Sequence, residues 1–387
     1  MTGLPSLPEK SKSGKTLIRS ALFYLAVLGA CAGPVDADWP GFRGNPQLTG
    51  VAEGTLSDTP DLLWIFEVEQ PIESTAAIVD DRVYVGAIDS SLHSLDLAAG
   101  EVLWSYRATD AIKSSPLVSG GVVYFGDESG VFHAVDASSG DSLWTLRTEG
   151  AIISPAVQVG DRLLFGSYDN SLYCVSIASG QRQWALETEG YVHAAPAALG
   201  DSAVVVSGCD ARLRVVSVAT GKEIRGVQTG AYVAASMAVA GTTGYVGTFG
   251  NSILAVDLAV GQTIWTYQNP ERQQPFYASP AVLDSVVVIG GRDQLVHALN
   301  ASSGKLLWSY HAGARIDASP VIVMNGPGER RVIIATQKGR LEILDLATGR
   351  SLWHFETGSS FTASPAVANS RLIIGSDDGT LYCFGAR

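Results

Sequence analysis

IKSSPLVSGGVVYFGDESGVFHAVDASSGDSLWTLRT, residues 112–148, is the stretch on which the fold turns. Its turn residues divide it into four short apolar runs: IKSSPLV (A), GVVYFGD (B), VFHAVD (C) and SLWTLRT (D). Glu128-Ser129-Gly130 suits a tight hairpin that needs a residue at positive φ. Asp136-Ala137-Ser138-Ser139-Gly140 turns the chain again, with glycine able to take the left-handed conformation. No helical period of 3.6 runs through ten residues or more, so the unit reads as four antiparallel strands.

The unit recurs along the chain. Trp64, Trp104, Trp144 and Trp184 are spaced by 40 residues, followed by Trp265, Trp308 and Trp353. The 81-residue gap from Trp184 to Trp265 hides one repeat, in which Arg225 takes the tryptophan position. Gly100, Gly140, Gly180, Gly221, Gly261, Gly304 and Gly349 each stand four residues before that position. A fixed period near 40 with four strands per unit predicts an all-β, eight-bladed β-propeller of four-stranded antiparallel blades. The last repeat, FTASPAVANSRLIIGSDDGTLYCFGAR, stops before a Trp strand, whereas the first Trp strand, 61–69, has no A, B or C before it. The two fragments add to one blade. Closure of the last blade by strand 61–69 is therefore expected over an open solenoid, and it removes an exposed sheet edge. The seven tryptophans are expected to dock blade on blade.

Composition narrows the function. With 46% apolar residues the 387-residue chain is not intrinsically disordered. Its net charge of −12 argues against nucleic-acid binding, which needs a basic footprint. Four cysteines make no disulfide scaffold. Residues 1–37 read as an export signal: Lys10, Lys12, Lys15 and Arg19 precede an 11-residue apolar run, SALFYLAVLGA. That run is short of the roughly 20 residues of a bilayer span. Cleavage after Ala37 competes with a lipoprotein signal, 1–30, in which Leu28-Gly29-Ala30-Cys31 leaves Cys31 lipidated; an uncleaved anchor is the third reading. Cleavage after Ala37 leaves 22 Lys+Arg against 36 Asp+Glu, a net charge of −14. The mature chain then has an N-terminal extension, 38–60, and a propeller, 61–387, with no membrane span.

Strand A lines the channel in any propeller, and the Ser-Pro signal sets its register. Three residues before each proline equivalent stand Glu73, Lys113, Ile152, His193, Ala234, Tyr277, Asp317 and Thr362. Variation at one register of a repetitive fold is where function is expected. Glu73, Lys113, His193, Tyr277 and Asp317 are thus candidates for a binding funnel; a hydrated channel mouth, with Glu73 and Lys113 simply paired, is the plainer reading. Two insertions stand out, 268–275 (QNPERQQP) and 324–331 (MNGPGERR), on opposite faces. Arg272, Tyr277 and Arg315 would form a contact patch on the funnel side. His93, His133 and His297 share a strand-C register far from the axis and read as structural. Cys174 and Cys383 share a small-residue packing register; a Cys174–Cys209 bridge is conceivable between neighbouring blades, though free thiols are the default. No metal motif, phosphate-cradling loop or nucleophile triad appears, so no catalytic residue is assigned.

Ala137-Ser138-Ser139-Gly140-Asp141-Ser142-Leu143-Trp144 and Ala347-Thr348-Gly349-Arg350-Ser351-Leu352-Trp353 resemble the pyrroloquinoline-quinone (PQQ) repeat, and the resemblance covers residues 61–387. No blade has the Gly-His and Trp-Asp pair of WD repeats. Asp38-Trp39-Pro40-Gly41-Phe42-Arg43-Gly44 resembles the N-terminal flank of secreted bacterial propellers of this kind. The resemblance implies one of two classes. Quinoprotein dehydrogenases use PQQ and Ca²⁺ near the axis, often above a vicinal disulfide. BamB-type propellers are non-catalytic scaffolds of outer-membrane assembly that bind a protein partner and hold no cofactor. Ca²⁺ wants six to eight oxygens, which two axial carboxylates do not supply, and no Cys-Cys pair exists. The expectation is a BamB-like, monomeric scaffold, exported to the periplasm or cell envelope, with an envelope protein as partner. PQQ and Ca²⁺, or a small ligand in the funnel, belong to the alternative.

Overall fold

The computed structural model describes residues 38–326 and 328–387, so all three readings of the segment 1–37, and Cys31, lie outside the described residues. Within them every regular element is a strand, and the strands form eight sheets ordered A-B-C-D outward from the axis. In blade 2 strand A is Leu117–Ser119, B Val122–Gly126, C Val131–Asp136 and D Ser142–Arg147. Strand A is shorter than the run IKSSPLV because Pro116 has no N–H for a ladder. Blade 8 is closed as the complementary fragments require. Asp61–Glu67 pairs antiparallel with Thr380–Gly385, from Asp61 opposite Gly385 to Glu67 opposite Thr380.

The periodic residues explain the rim. In every blade the C–D register slips by one residue just before the Trp position, as between Ser142 and Trp144. Such a bulge re-aims the next side chain, and the indole is turned onto the following blade. Trp104 lies on Gly140, whose φ is 80° and whose Cβ, if present, would stand 2.8 Å from the ring. Only glycine satisfies both the turn and the close approach. Five of the seven indole N–H groups then donate to a carbonyl of that next blade, as from Trp104 to Ala137 (3.1 Å) and Trp308 to Leu346 (2.8 Å). Strands B and C, covered on both faces, hold most of the fully buried residues.

The inner rim has a hydroxyl relay. The backbone N–H of Thr75 donates to Ser115 Oγ, Ala195 to Ser236, Ser236 to Ser279, Ser279 to Ser319, Ser319 to Ser364, and Ser364 to Thr75 Oγ1. It breaks at blade 3, whose strand-A approach is one residue shorter. There the Ser114 and Ser154 hydroxyls reach the Ser154 and Ala194 carbonyls instead.

The extension 38–60 is woven through the ring. Trp39 exchanges two backbone hydrogen bonds with Ile78 in blade 1 (2.8 Å each). Carbonyls of Pro40, Pro46, Gln47, Thr49 and Gly50 then accept from Val118, Ala198, Val239, Val282 and Ile322, the inner strands of blades 2, 4, 5, 6 and 7. Val51–Glu53 adds a parallel fifth strand to Val321–Met324 of blade 7. Fully buried Arg43 crosses the channel and donates to the carbonyls of Pro320 (2.6 Å) and Pro280 (2.8 Å). Burial lowers its pKa from 12.5 to about 9, which leaves it charged at neutral pH. The insertion 324–331 holds the exit of this plug: Asn325 accepts from Leu56 N–H at 2.7 Å, and Arg331 grips Asp58 at 2.6 and 2.9 Å.

Candidate functional site

Strand A enters each blade with a buried apolar residue and then one that faces the axis. Glu73, Lys113, His193, Tyr277 and Asp317 come together there with Ala234 and Thr362 around a cavity of about 140 Å³. Phe42 of the plug contributes to its floor, so the funnel is a cup. In blade 3 the register differs from the expectation. Ile152 is fully buried beside Gly126, in the core position that Ile112 and Val192 hold in their blades, and Ile153 faces the cup. The one-residue deletion before Ser154-Pro155 shifts the pattern.

The cup holds three sets of contacts. Lys113 Nζ stands 3.0 Å from Glu128 Oε1 and 4.0 Å from Glu73 Oε2. Burial opposes the Lys113 charge, but the Glu128 hydrogen bond and both carboxylates outweigh it and raise its pKa. Burial raises the Glu73 pKa, and Lys113 offsets part of that. Across the ring Asp317 accepts two bonds from Arg292, at 2.7 and 3.1 Å, with Arg315 at 3.6 Å. The Arg292 guanidinium also lies 4.8 Å from the Tyr277 ring centre, a cation–π distance. Between these groups His193 is held at both nitrogens, Nδ1 by Tyr168 OH (2.8 Å) and Nε2 by Tyr277 OH (3.3 Å). Burial first, and then the Lys113 charge, lowers its pKa, so at neutral pH the ring is neutral, one nitrogen donating and the other accepting. Burial pushes the Tyr168 phenol up to about 12.

Arg272 and Arg315 lie outside the cup that Tyr277 lines. Arg272 donates to the Asp293 carbonyl (3.0 Å) in a separate shallow hollow, and Arg315 lies outside the cup with more than half its side chain exposed. Arg292 borders both hollows.

Sequence reasoning missed a second ring. Ile88, Glu128, Tyr168, Cys209, Phe249, Arg292, Gln337 and Asp377 stand two residues after the last residue of strand B in each blade. Their N–H groups donate to a third ring that includes Tyr191, Tyr232 and Arg315. The signal was available, since strand B ends in glycine in six of the eight blades. The resulting face is segregated, with aromatic residues over blades 3 to 6 and arginines over blades 6 and 7. Tyr168 stacks on Tyr191 at 4.6 Å, and Tyr191 and Tyr232 are 50% and 62% exposed.

The strand-C histidines lie between blades. His133 bonds Asp127 (3.0 Å) and Tyr106 OH (3.1 Å), and His297 bonds Asp293 (2.9 Å) and Tyr267 OH (3.2 Å). His93 bonds Ser105 Oγ at 2.9 Å. Among the described residues no group of three or more His, Cys, Asp or Glu is placed to hold a metal ion. Cys174, Cys209 and Cys383 are free thiols, so the bridge from Cys174 to Cys209 is not formed; burial pushes Cys174 up to about 11 and Cys383 up to about 12. The cup does not fit a PQQ–calcium centre: Asp317 has both oxygens taken by Arg292, Glu73 shares Lys113 with Glu128, and Phe42 of the plug takes up part of a cavity of only about 140 Å³.

A sequence family described as outer membrane protein assembly factor BamB matches residues 52–154, 148–227 and 193–387. A search of curated proteins returned no match. Among solved structures, BamB from Moraxella catarrhalis superposes with a TM-score of 0.70 at 19% identity, covering 84% of this chain and 100% of that one. The quinohemoprotein alcohol dehydrogenase of Comamonas testosteroni gives 0.77 at 14% identity, covering 90% and 80%. A europium-containing methanol dehydrogenase gives 0.73 at 14%, covering 90% and 98%. At these identities the likeness is one of fold, shared by an assembly factor and by dehydrogenases.

Proposed function

The chain belongs to the family of the outer membrane protein assembly factor BamB, and from that premise we propose that it is an exported, non-catalytic propeller that binds an envelope protein through its funnel face. The observation that carries this reading is the division of labour on that face. Its axial charges are spent on one another, Lys113 on Glu128 and Glu73, Arg292 on Asp317. Its exposed groups are Tyr191, Tyr232 and Arg315. Tyrosine and arginine dominate binding energy at protein interfaces, because they cover large areas and still offer polar tips. A rigid ring presenting them on loops is a scaffold for recognition. In this reading residues 1–37 direct export, the mature chain is a monomer, and neither PQQ nor Ca²⁺ takes part.

The test is capture from envelope extracts with the purified mature chain, followed by mass spectrometry and repeated with Tyr191→Ala/Tyr232→Ala. A partner retained by the wild type and lost by the double variant supports the proposal. Quinone absorbance and dye reduction after incubation with PQQ and Ca²⁺ would overturn it in favour of a dehydrogenase.

A further inference from the structure

The plug treats one blade differently. In six blades the middle residue of the innermost strand donates its outward N–H to a plug carbonyl. In blade 8 the corresponding edge is covered by side chains, with Ala52 and Leu56 in its apolar core and Thr55 Oγ1 3.2 Å from Ser370 Oγ. Blade 3 has neither cover. Gln158 pairs with Leu163 in the same register in which Val118 pairs with Val123, so its N–H also points out of the sheet. No plug carbonyl meets it, because the chain turns away at 41–45. Gly44 N–H bonds the Gly41 carbonyl, Arg43 and Gly44 take φ of 64° and 81°, and Arg43 is pinned across the channel on Pro280 and Pro320. The gap is a notch of about 240 Å³ walled by Pro40, Phe42, Pro46, Leu117, Ala156 and Val157, beyond Phe42 from the cup.

We propose that this notch binds the tip of an uncharged peptide from a second protein. A carbonyl of that peptide accepts the Gln158 N–H, and one aliphatic or proline side chain fills the space between Phe42 and Val157. The plug defines the occupant. Wherever the plug's main chain covers an inner edge it offers a carbonyl from a stretch whose only ionisable side chain is Arg43, with Pro40, Pro46 and Leu48 beside the edges; at Pro46 and Gln47 that carbonyl comes from a turn closed by Leu48 N–H on the Asn45 carbonyl. The notch interrupts that interface, and a bound tip would continue it. Pairing to an open edge gives affinity through the main chain, and a side-chain pocket gives selectivity. The pinned turn holds the site open, so binding costs little reorganisation. Charge plays no part, since no ionisable side chain lines the notch. This inference rests on the plug and not on the funnel face.

The probe is acetyl-Pro-Gln-Leu-Thr-Gly-amide, the plug's own sequence at 46–50, added to the purified mature chain. Calorimetry should give saturable binding, and hydrogen exchange at the Gln158 amide should slow by about tenfold. Gln158→Pro removes the donor at an edge where proline is tolerated, and Leu117→Trp fills the notch. Each should weaken binding by about tenfold or more. Gln158→Pro leaves the walls intact, so it carries the test if the tryptophan variant misfolds. Absence of saturable binding, unchanged exchange at Gln158, or full affinity in Gln158→Pro would overturn the proposal. Tyr191→Ala/Tyr232→Ala should leave peptide binding unchanged, which separates failure here from failure of the funnel reading.

Discussion

The outer rim and the axis of this ring are built from the same repeats and solve opposite problems. At the rim one solution is used again and again: a bulge, an indole on a glycine, and in most blades an indole N–H to the next carbonyl. At the axis the eight equivalent positions carry glutamate, lysine, isoleucine, histidine, alanine, tyrosine, aspartate and threonine. Each rim joint has an identical neighbour to pack against, so selection for folding keeps it uniform. The axial residues meet one another and solvent, and the plug that crosses them has no repeat of its own. Stability at the rim is spread over many small equivalent terms, whereas at the axis it hangs on single residues.

That contrast is open to attack, beginning with its largest expected effect. Arg43→Ala should cost about 4 kcal/mol, because two buried carbonyls lose their donor and the channel keeps a void. Urea midpoints at constant m-value measure it, and a loss no greater than that of one rim tryptophan would erase the distinction. Next, Trp308→Ala should cost about 2–3 kcal/mol, with Trp308→Phe near 1 kcal/mol for the lost bond to Leu346; the same assay applies. Third, Arg225→Trp should stabilise by about 1 kcal/mol. The space over Gly261 is open, its nearest neighbour being Arg225 Cδ at 3.6 Å from a Cβ built there. A rise in Tm checks this, and a fall would mean that blade 4 has diverged beyond the common joint.

The smallest effect is a pH dependence at the axis. Burial, and then Lys113, holds the His193 pKa below its ordinary 6.5. The unfolded chain therefore takes up a proton at a pH where the native ring does not. This contribution is present above pH 6.5 and is lost as pH falls toward the native value. His193→Gln should flatten part of the acid limb of a stability–pH curve, leaving the similarly depressed His93 to account for the rest. The Asp127 and Asp293 pKa values, lowered by their histidine partners against the opposing effect of burial, act in a separate window below pH 3.8.

Much of this was legible in one dimension. The Trp spacing required a ring of eight, and the complementary fragments required its closure, because strands of fixed period leave the chain few alternatives. The axial register brought Glu73, Lys113, His193, Tyr277 and Asp317 to one cup, although the missing residue in blade 3 moved Ile153 into the place expected for Ile152. Tyr168 and Arg292 were overlooked although the glycine that ends strand B in six of the eight blades marks their register, because that glycine reads as a turn residue and says nothing of where the residue two places on will point. Arg272 and Arg315 flank the cup instead of lining it, and loop length alone did not say so.

The sequence by itself determined the architecture, since repetition turns local preference into a global shape: each unit can bury its apolar faces only against a copy of itself. The tertiary structure alone decided what closes the channel. Residues 38–60 carry no period, and the bonds that pair them with six inner strands run through main-chain groups that every residue possesses, so nothing in the sequence announces that they will pair with those six blades and pass over the third.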